Sequence, residues 1–408
     1  MSFTSDESRW ADVYLVSGTR AVSVCGDFLA ATTLALVLQQ RGHGGLAVSG
    51  LLVAASLPLA LLAPIGGRIA DRFDSRTILV AAGLIQSLIC VALAFVHQPV
   101  AIIGLVALLA AGLAVTQPTL AALIPQMVRP EDLPKASGFN QTAGVIGTLI
   151  APPLAGVLLG QFGARPPLLI DAVSYLALVV AGLAVKTRRR PALTVQTEAA
   201  PFRVRDDRLL AIMIGTMAVV MAGVSAINVV EIFFIRDTLH ASTTTYGLVS
   251  ACWAAGMLIG SVLFGRVPRA WITVPVLFLI VAGTCLPAAV GALATSALML
   301  VPLLLVGGIF NAGVNVFVMV IIVGRVRAAA HGRAFAALNG AVQLAGLIGL
   351  VAAGPLVERF DPRWLLASAA GIGLVVCLAA IPVARRTADK PSLASPQPRI
   401  VTPVTAQG

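Results

Sequence analysis

Gly66-Gly67-Arg68-Ile69-Ala70-Asp71-Arg72-Phe73-Asp74-Ser75-Arg76-Thr77-Ile78-Leu79 is a short charged turn set between two long apolar runs. Leu46 to Ile65 carries no charge, and Ile78 to Val96 carries none. Each run suffices for a hydrocarbon core that takes about 20 residues to cross. The turn therefore reads as a hinge between two antiparallel membrane helices. Arg68, Arg72 and Arg76 recur every four residues and gather positive charge at one membrane face, with Asp71 and Asp74 among them as partners.

The rest of the chain repeats this alternation. Hydrophobic residues make up 58% and charged residues 11% of the 408, and mean hydropathy is +0.96. A soluble fold is nearer half apolar and a quarter charged. Apolar runs fall near 13–38, 46–66, 77–96, 100–124, 138–160, 167–185, 209–235, 244–265, 272–292, 297–323, 334–357 and 364–383, which predicts an all-α membrane protein of twelve spans. With both termini on the cytoplasmic side, 22 of the 28 Lys and Arg fall on that side and five on the other, Arg20 lying inside the first span. Positive charge collects on the cytoplasmic side of membrane proteins, so this orientation is expected. The net charge of +11 is thereby explained by topology, and no nucleic-acid partner is expected.

Lys186 to Arg208 is the longest polar interruption, rich in arginine and broken by Pro191 and Pro201. It reads as a cytoplasmic linker, 186–208, between an N-terminal six-helix half, 1–185, and a C-terminal half, 209–383. Residues 384–408 are polar and proline-rich and are expected to be a disordered cytoplasmic tail. The halves echo each other. Phe139-Asn140 corresponds to Leu338-Asn339, Gln161 to Arg165 corresponds to Arg359 to Arg363, and Tyr246-Gly247-Leu248 is a weaker echo of Ser49-Gly50-Leu51. Cys25, Cys90, Cys252, Cys285 and Cys377 lie inside apolar runs and read as inert packing residues. His43, His97, His240 and His331 are isolated, so no metal cluster, cofactor or catalytic set is expected. No phosphate-binding loop suggests ATP drive, and no signal-peptide cleavage pattern precedes the first span.

The hinge resembles the loop signature of the major facilitator superfamily, Gly-x-Leu-Ala-Asp-Arg-x-Gly-Arg-Arg/Lys, which joins the second and third helices of those transporters. Gly67, Ala70, Asp71, Arg72 and Arg76 fit it; Ile69 replaces leucine, Asp74 stands at a glycine and Ser75 at a basic residue. The Asp-Arg-Phe-Asp variant is similar to the branch holding macrolide efflux proteins and the enterobactin exporter. The resemblance implies two six-helix halves that rock around a central substrate path, with Asp71 near the start of the eleventh helix, around Arg333. Gly265-Arg266 echoes Gly67-Arg68 as a decayed second hinge that lacks the aspartate. In the fifth span, Gly147 to Gly156, with Pro152 and Pro153, resembles the superfamily's antiporter signature Gly-x-x-x-Gly-Pro-x-x-Gly-Gly, Ala151 and Ala155 replacing two glycines. Small residues and prolines there serve either a bend between rocking halves or ordinary close packing.

Ionisable residues inside the spans are the candidates for coupling, because charge in hydrocarbon is costly enough to mark function. They are Asp27, deep in the first span, and Asp171 and Glu231, each placed within about a turn of the external surface by position along its span. Arg20 either attracts an anionic substrate or snorkels to the cytoplasm. Asn228, Asn311, Asn315, Gln141 and Gln343 are candidates to line the substrate cavity, with interhelical bonding as the alternative. The expected protein is a monomeric, proton-coupled exporter of hydrophobic or amphipathic small molecules, such as drugs, antibiotics or siderophores, in a bacterial plasma membrane. An importer or uniporter of a small metabolite, or a non-transporting membrane protein, is the alternative.

Overall fold

The computed structural model describes residues 8–185, 207–326 and 330–388. Among these are twelve helices long and apolar enough to cross a membrane. They are α1 (Trp10–Gln40), α2 (Gly44–Arg72), α3 (Ser75–Phe95), α4 (Pro99–Met127), α5 (Leu133–Phe162), α6 (Arg165–Ala184), α7 (Arg208–Phe233), α8 (Thr243–Gly265), α9 (Val274–Gly291), α10 (Leu300–Arg325), α11 (His331–Arg359) and α12 (Pro362–Ala388). A π-helical turn, Phe234–Thr238, prolongs α7. The twelve expected spans are all present, and the chain is a multi-pass membrane protein. Most of the expected linker, and the tail from 389 on, lie outside the described residues. The tail boundary at 384 is corrected, since α12 continues to Ala388.

Local sequence signals set the helix ends. Asp74, Asp207 and Ser242 cap α3, α7 and α8 through side-chain oxygens that accept backbone N–H bonds. Prolines open α4, α5, α6 and α9, where a missing N–H is harmless. Gly163 ends α5 at φ 78°, a conformation that favours glycine. The Asp207 carboxylate also takes Arg325 at 2.7 Å, tying the start of α7 to the end of α10. Burial works to raise its pKa, but the Arg325 bond and the Leu209 and Leu210 N–H groups outweigh it and hold the carboxyl below its usual range.

The hinge differs from its sequence reading. Gly66 to Arg72 is the last part of α2, not a turn, and only Phe73 and Asp74 are non-helical. Asp74 does not pair with an arginine head group; its carboxylate accepts the Arg76 backbone N–H at 2.8 Å, which explains an aspartate where the signature has glycine. A side chain at Gly66 would collide with the Ala114 carbonyl of α4, whereas Gly67 has open space around it. The second copy at Gly265-Arg266 stops being helical at once, Arg266 being the C-cap of α8.

The main helix pairings repeat with an offset of six. α1 packs on α5, α2 on α4 and α3 on α6; α7 packs on α11, α8 on α10 and α9 on α12. This repetition supports the division into two halves drawn from the sequence. The halves meet through α5 against α8 and α2 against α11. Their hydrogen bonds gather at one end, the end assigned to the outside by the charge count. There Ser49 Oγ donates to the Leu350 carbonyl, Leu46 N donates to Glu358 Oε1 at 3.1 Å, and Gln39 Nε2 donates to Asp237 Oδ1 at 2.6 Å. Glu358 thus sits at the N-terminus of α2, where the helix dipole favours a carboxylate. Glycines allow the same approach, since a side chain at Gly45 would meet the Gly354 carbonyl and one at Gly247 the Pro152 carbonyl. This end of the molecule is closed.

Candidate coupling and substrate sites

α6 presents Asp171, Ser174 and Tyr175 at spacings of three and four, which places them on one helical face. That face packs on α1 and α3. Ser174 Oγ donates to Asp171 Oδ1 at 3.1 Å, and Cys90 Sγ of α3 donates to Asp171 Oδ2 at 3.1 Å. The Tyr175 hydroxyl donates to Asp27 Oδ1 on α1. Asp171, Tyr175 and Cys90 are each 0% exposed. Gly26 makes the approach possible, because a Cβ there would run into Asp171 and Ser174. Two carboxylates from α1 and α6 are therefore gathered among neutral donors inside the first six helices. Among the described residues neither forms an ion pair with Lys, Arg or His.

Two sequence expectations change here. Asp171 stands near the start of α6, as its sequence position implies, but it is fully buried beside the Asp27 region and does not face lipid or water. Cys90 is not inert packing, since its thiol bonds Asp171. Gly26, Ser174, Tyr175 and Cys90 were missed as site residues. The i, i+3, i+4 pattern of Asp171, Ser174 and Tyr175 was the available signal, while nothing in the sequence linked α3 to α6.

Arg20 joins neither carboxylate. Its guanidinium reaches Gln141 Oε1 of α5 at 3.4 Å and packs over Gly144.

A cavity of about 460 Å³ lies below the closed end, lined mostly by the second six helices, α7 above all, with Phe28, Ala31, Thr32 and Ala35 of α1 contributing from the first six. Glu231, Asn228 and Asn311 line it, so Glu231 faces the cavity and not the outer surface. Asn315 does not line it; its Nδ2 donates to the Asn311 carbonyl at 3.0 Å and the residue is exposed. Gln343, Tyr246, Ser250 and Trp253 complete the polar and aromatic lining. The π-helical turn begins three residues after Glu231, and such irregular turns recur at functional sites.

The antiporter-like stretch of α5 serves two neighbours. Gly147 lies against the Ala21 carbonyl of α1 within the same half, and Gly156 against the Thr243 carbonyl of α8 in the other. Ala151 and Ala155 are 0% exposed and pack with Leu29. Pro152 lines the cavity beside Pro153, whose Cα meets Gly247.

Comparison with known proteins agrees with this architecture. The family model described as Major Facilitator Superfamily matches residues 16–224 and 212–407. Macrolide efflux protein A of Streptococcus pyogenes is 24% identical over 270 residues, covering 62% of this chain and 65% of the relative. The multi-drug resistance efflux pump PmrA of Streptococcus pneumoniae is 25% identical over 262 residues, covering 59% and 64%. The aligned region thus spans just under two thirds of these relatives. Among solved structures, the nucleoside transporter NupG superposes with a TM-score of 0.76 at 15% identity, covering 91% of this chain and 99% of that one. A bacterial homolog to the human lysosomal transporter Spinster, inward-facing and unoccupied, gives 0.74 at 16% identity, covering 93% and 97%. At these identities the structures show a shared fold.

Proposed function

The chain belongs to the Major Facilitator Superfamily, and from that premise we propose that it is a proton-coupled exporter of hydrophobic or amphipathic small molecules working by alternating access. The observation that carries the coupling is the Asp27–Asp171 cluster. Two carboxylates among neutral donors, with no cation paired to either, are suited to hold a proton, because separate ionisation of both inside the bundle is unfavourable. Tyr175 and Cys90 fix the two carboxylates in place, and α1 extends from this cluster to Phe28 and Thr32 at the cavity wall.

With the N- and C-termini on the cytoplasmic side, the closed end is external and the structure is the inward-facing state. The 1–185 and 209–383 halves then rock about the α2–α11 and α5–α8 contacts. Contacts at Gly156 and Glu358 break on outward opening, and the hinge at Gly67, Asp71, Arg72 and Arg76 closes the opposite end. The names of the efflux relatives favour export over import.

The experiment is transport by purified protein in proteoliposomes with an imposed pH gradient and a panel of amphipathic compounds. Accumulation that collapses with a protonophore is expected. Accumulation unaffected by the gradient would replace coupling with uniport, and absence of any flux across the panel would favour a non-transporting protein.

A further inference from the structure

The cavity and the carboxylate cluster are different places. Glu231 is the one acidic or basic residue among the described residues lining the cavity. The cation that sequence reading offered to an anionic substrate, Arg20, is bonded instead to Gln141 on α5. No Lys, Arg or His among the described residues forms an ion pair with Glu231.

We propose that Glu231 is the charge-reading residue of the cavity and that the cargo is an organic monocation with an apolar body. A carboxylate facing a largely apolar cavity lacks a counter-charge, and a bound cation supplies it in surroundings where water screens poorly. Tyr246 and Trp253 also line the cavity, and aromatic rings attract cations. Asn228, Asn311 and Gln343 provide neutral donors and acceptors for polar groups elsewhere on the ligand. An anion meets repulsion from the Glu231 carboxylate and no cation among the described lining residues to offset it, so anionic cargo is disfavoured. The volume of about 460 Å³ falls in the range of sites for drug-sized ligands.

This deepens the transporter reading, but its test needs neither a gradient nor flux. Purified full-length protein in nanodiscs is titrated with tetraphenylphosphonium, with its anionic near-isostere tetraphenylborate, and with neutral triphenylphosphine oxide. The wild type is expected to bind the phosphonium most tightly. Glu231→Gln should weaken phosphonium binding by about tenfold or more while leaving the phosphine oxide within about twofold, and Glu231→Asp should keep most of the preference. Three results would overturn the proposal. They are a wild type with no preference for the phosphonium over both other probes, a Glu231→Gln protein that binds it unchanged, and a Glu231→Gln protein that loses all three probes equally. The last would mark Glu231 as a support for cavity shape. A protein that fails gradient-driven export yet passes this titration would lose the coupling proposal and keep this one.

Discussion

The two sets of six helices use the same pairings, yet they hold their intramembrane acids in opposite ways. In the first set, Asp27 and Asp171 come together across α1 and α6, closed in by Tyr175, Cys90 and Ser174 and made possible by Gly26. In the second, Glu231 stands alone on the cavity wall. The hinge follows the same asymmetry, keeping its aspartate in the last turn of α2 and reduced to Gly265-Arg266 at the end of α8. On the proposed reading the two halves serve two tasks: one keeps an acid pair apart from the cargo, and the other exposes a single acid to it. Pairing geometry is shared because it depends on small residues and helix length, while the acids are free to diverge.

The sharpest difference between packing within a half and packing between halves lies on one helix. A side chain at Gly147 collides with the backbone of α1, and one at Gly156 with the backbone of α8. Gly147→Leu is expected to cost the fold itself, since overpacking a tight contact costs about 1–3 kcal/mol even without a backbone clash. Loss of monodisperse protein and a lower melting temperature would show it. Gly156→Leu should leave the protein folded and instead open the closed end, read as increased labelling of a cysteine introduced at Ser49. Equal loss of fold in both variants would erase the distinction between the two contacts.

A smaller effect is expected at the ends of α2. Glu358 sits at its N-terminus in this state, and the hinge resemblance places Asp71 near the start of α11 in the opposite state. A carboxylate at a helix N-terminus contributes about 0.3–1 kcal/mol, so Asp71→Asn should favour the present state and slow transport by roughly two- to fivefold. Glu358→Gln should shift accessibility the other way. Shifts of the same sign in both variants would remove the idea of opposed latches.

The most local effect concerns Asp207, which joins α7 to α10. Its pKa is lowered in the folded protein, so its stabilisation is present above the unfolded carboxylate range and is lost as pH falls through the folded value. Asp207→Ala should lower stability by about 0.5–2 kcal/mol at neutral pH, mostly through the lost cap, the partly exposed Arg325 pair adding little. The deficit should shrink in strong acid. A deficit that grows on acidification would reverse the sign assigned to this group.

The twelve spans were legible because hydrocarbon thickness imposes length and apolarity on every one of them. Asp27 was legible for the same reason, as an acid far from either end of an apolar run. Asp171 and Glu231 were found, but which way each faces was not legible, since position along one helix does not say whether a residue meets a neighbouring helix or the cavity. Gly26 and Cys90 were not legible as site residues. Their roles arise from contacts between α1, α3 and α6, and an isolated glycine or cysteine in an apolar run carries no sign of its neighbour. The hinge was recognised, but its helical extent was not, because charged residues in the last turns of α2 look like a loop when only hydropathy is read.

The central claim is that Asp27 in the first half carries the coupling proton while cargo recognition resides elsewhere. The most direct measurement compares gradient-driven accumulation with gradient-free exchange of one transported compound in proteoliposomes holding correctly inserted Asp27→Asn protein. Loss of accumulation with exchange still detectable is the predicted result, and Asp27→Glu should restore part of the accumulation. Wild-type accumulation by the Asp27→Asn protein would contradict it.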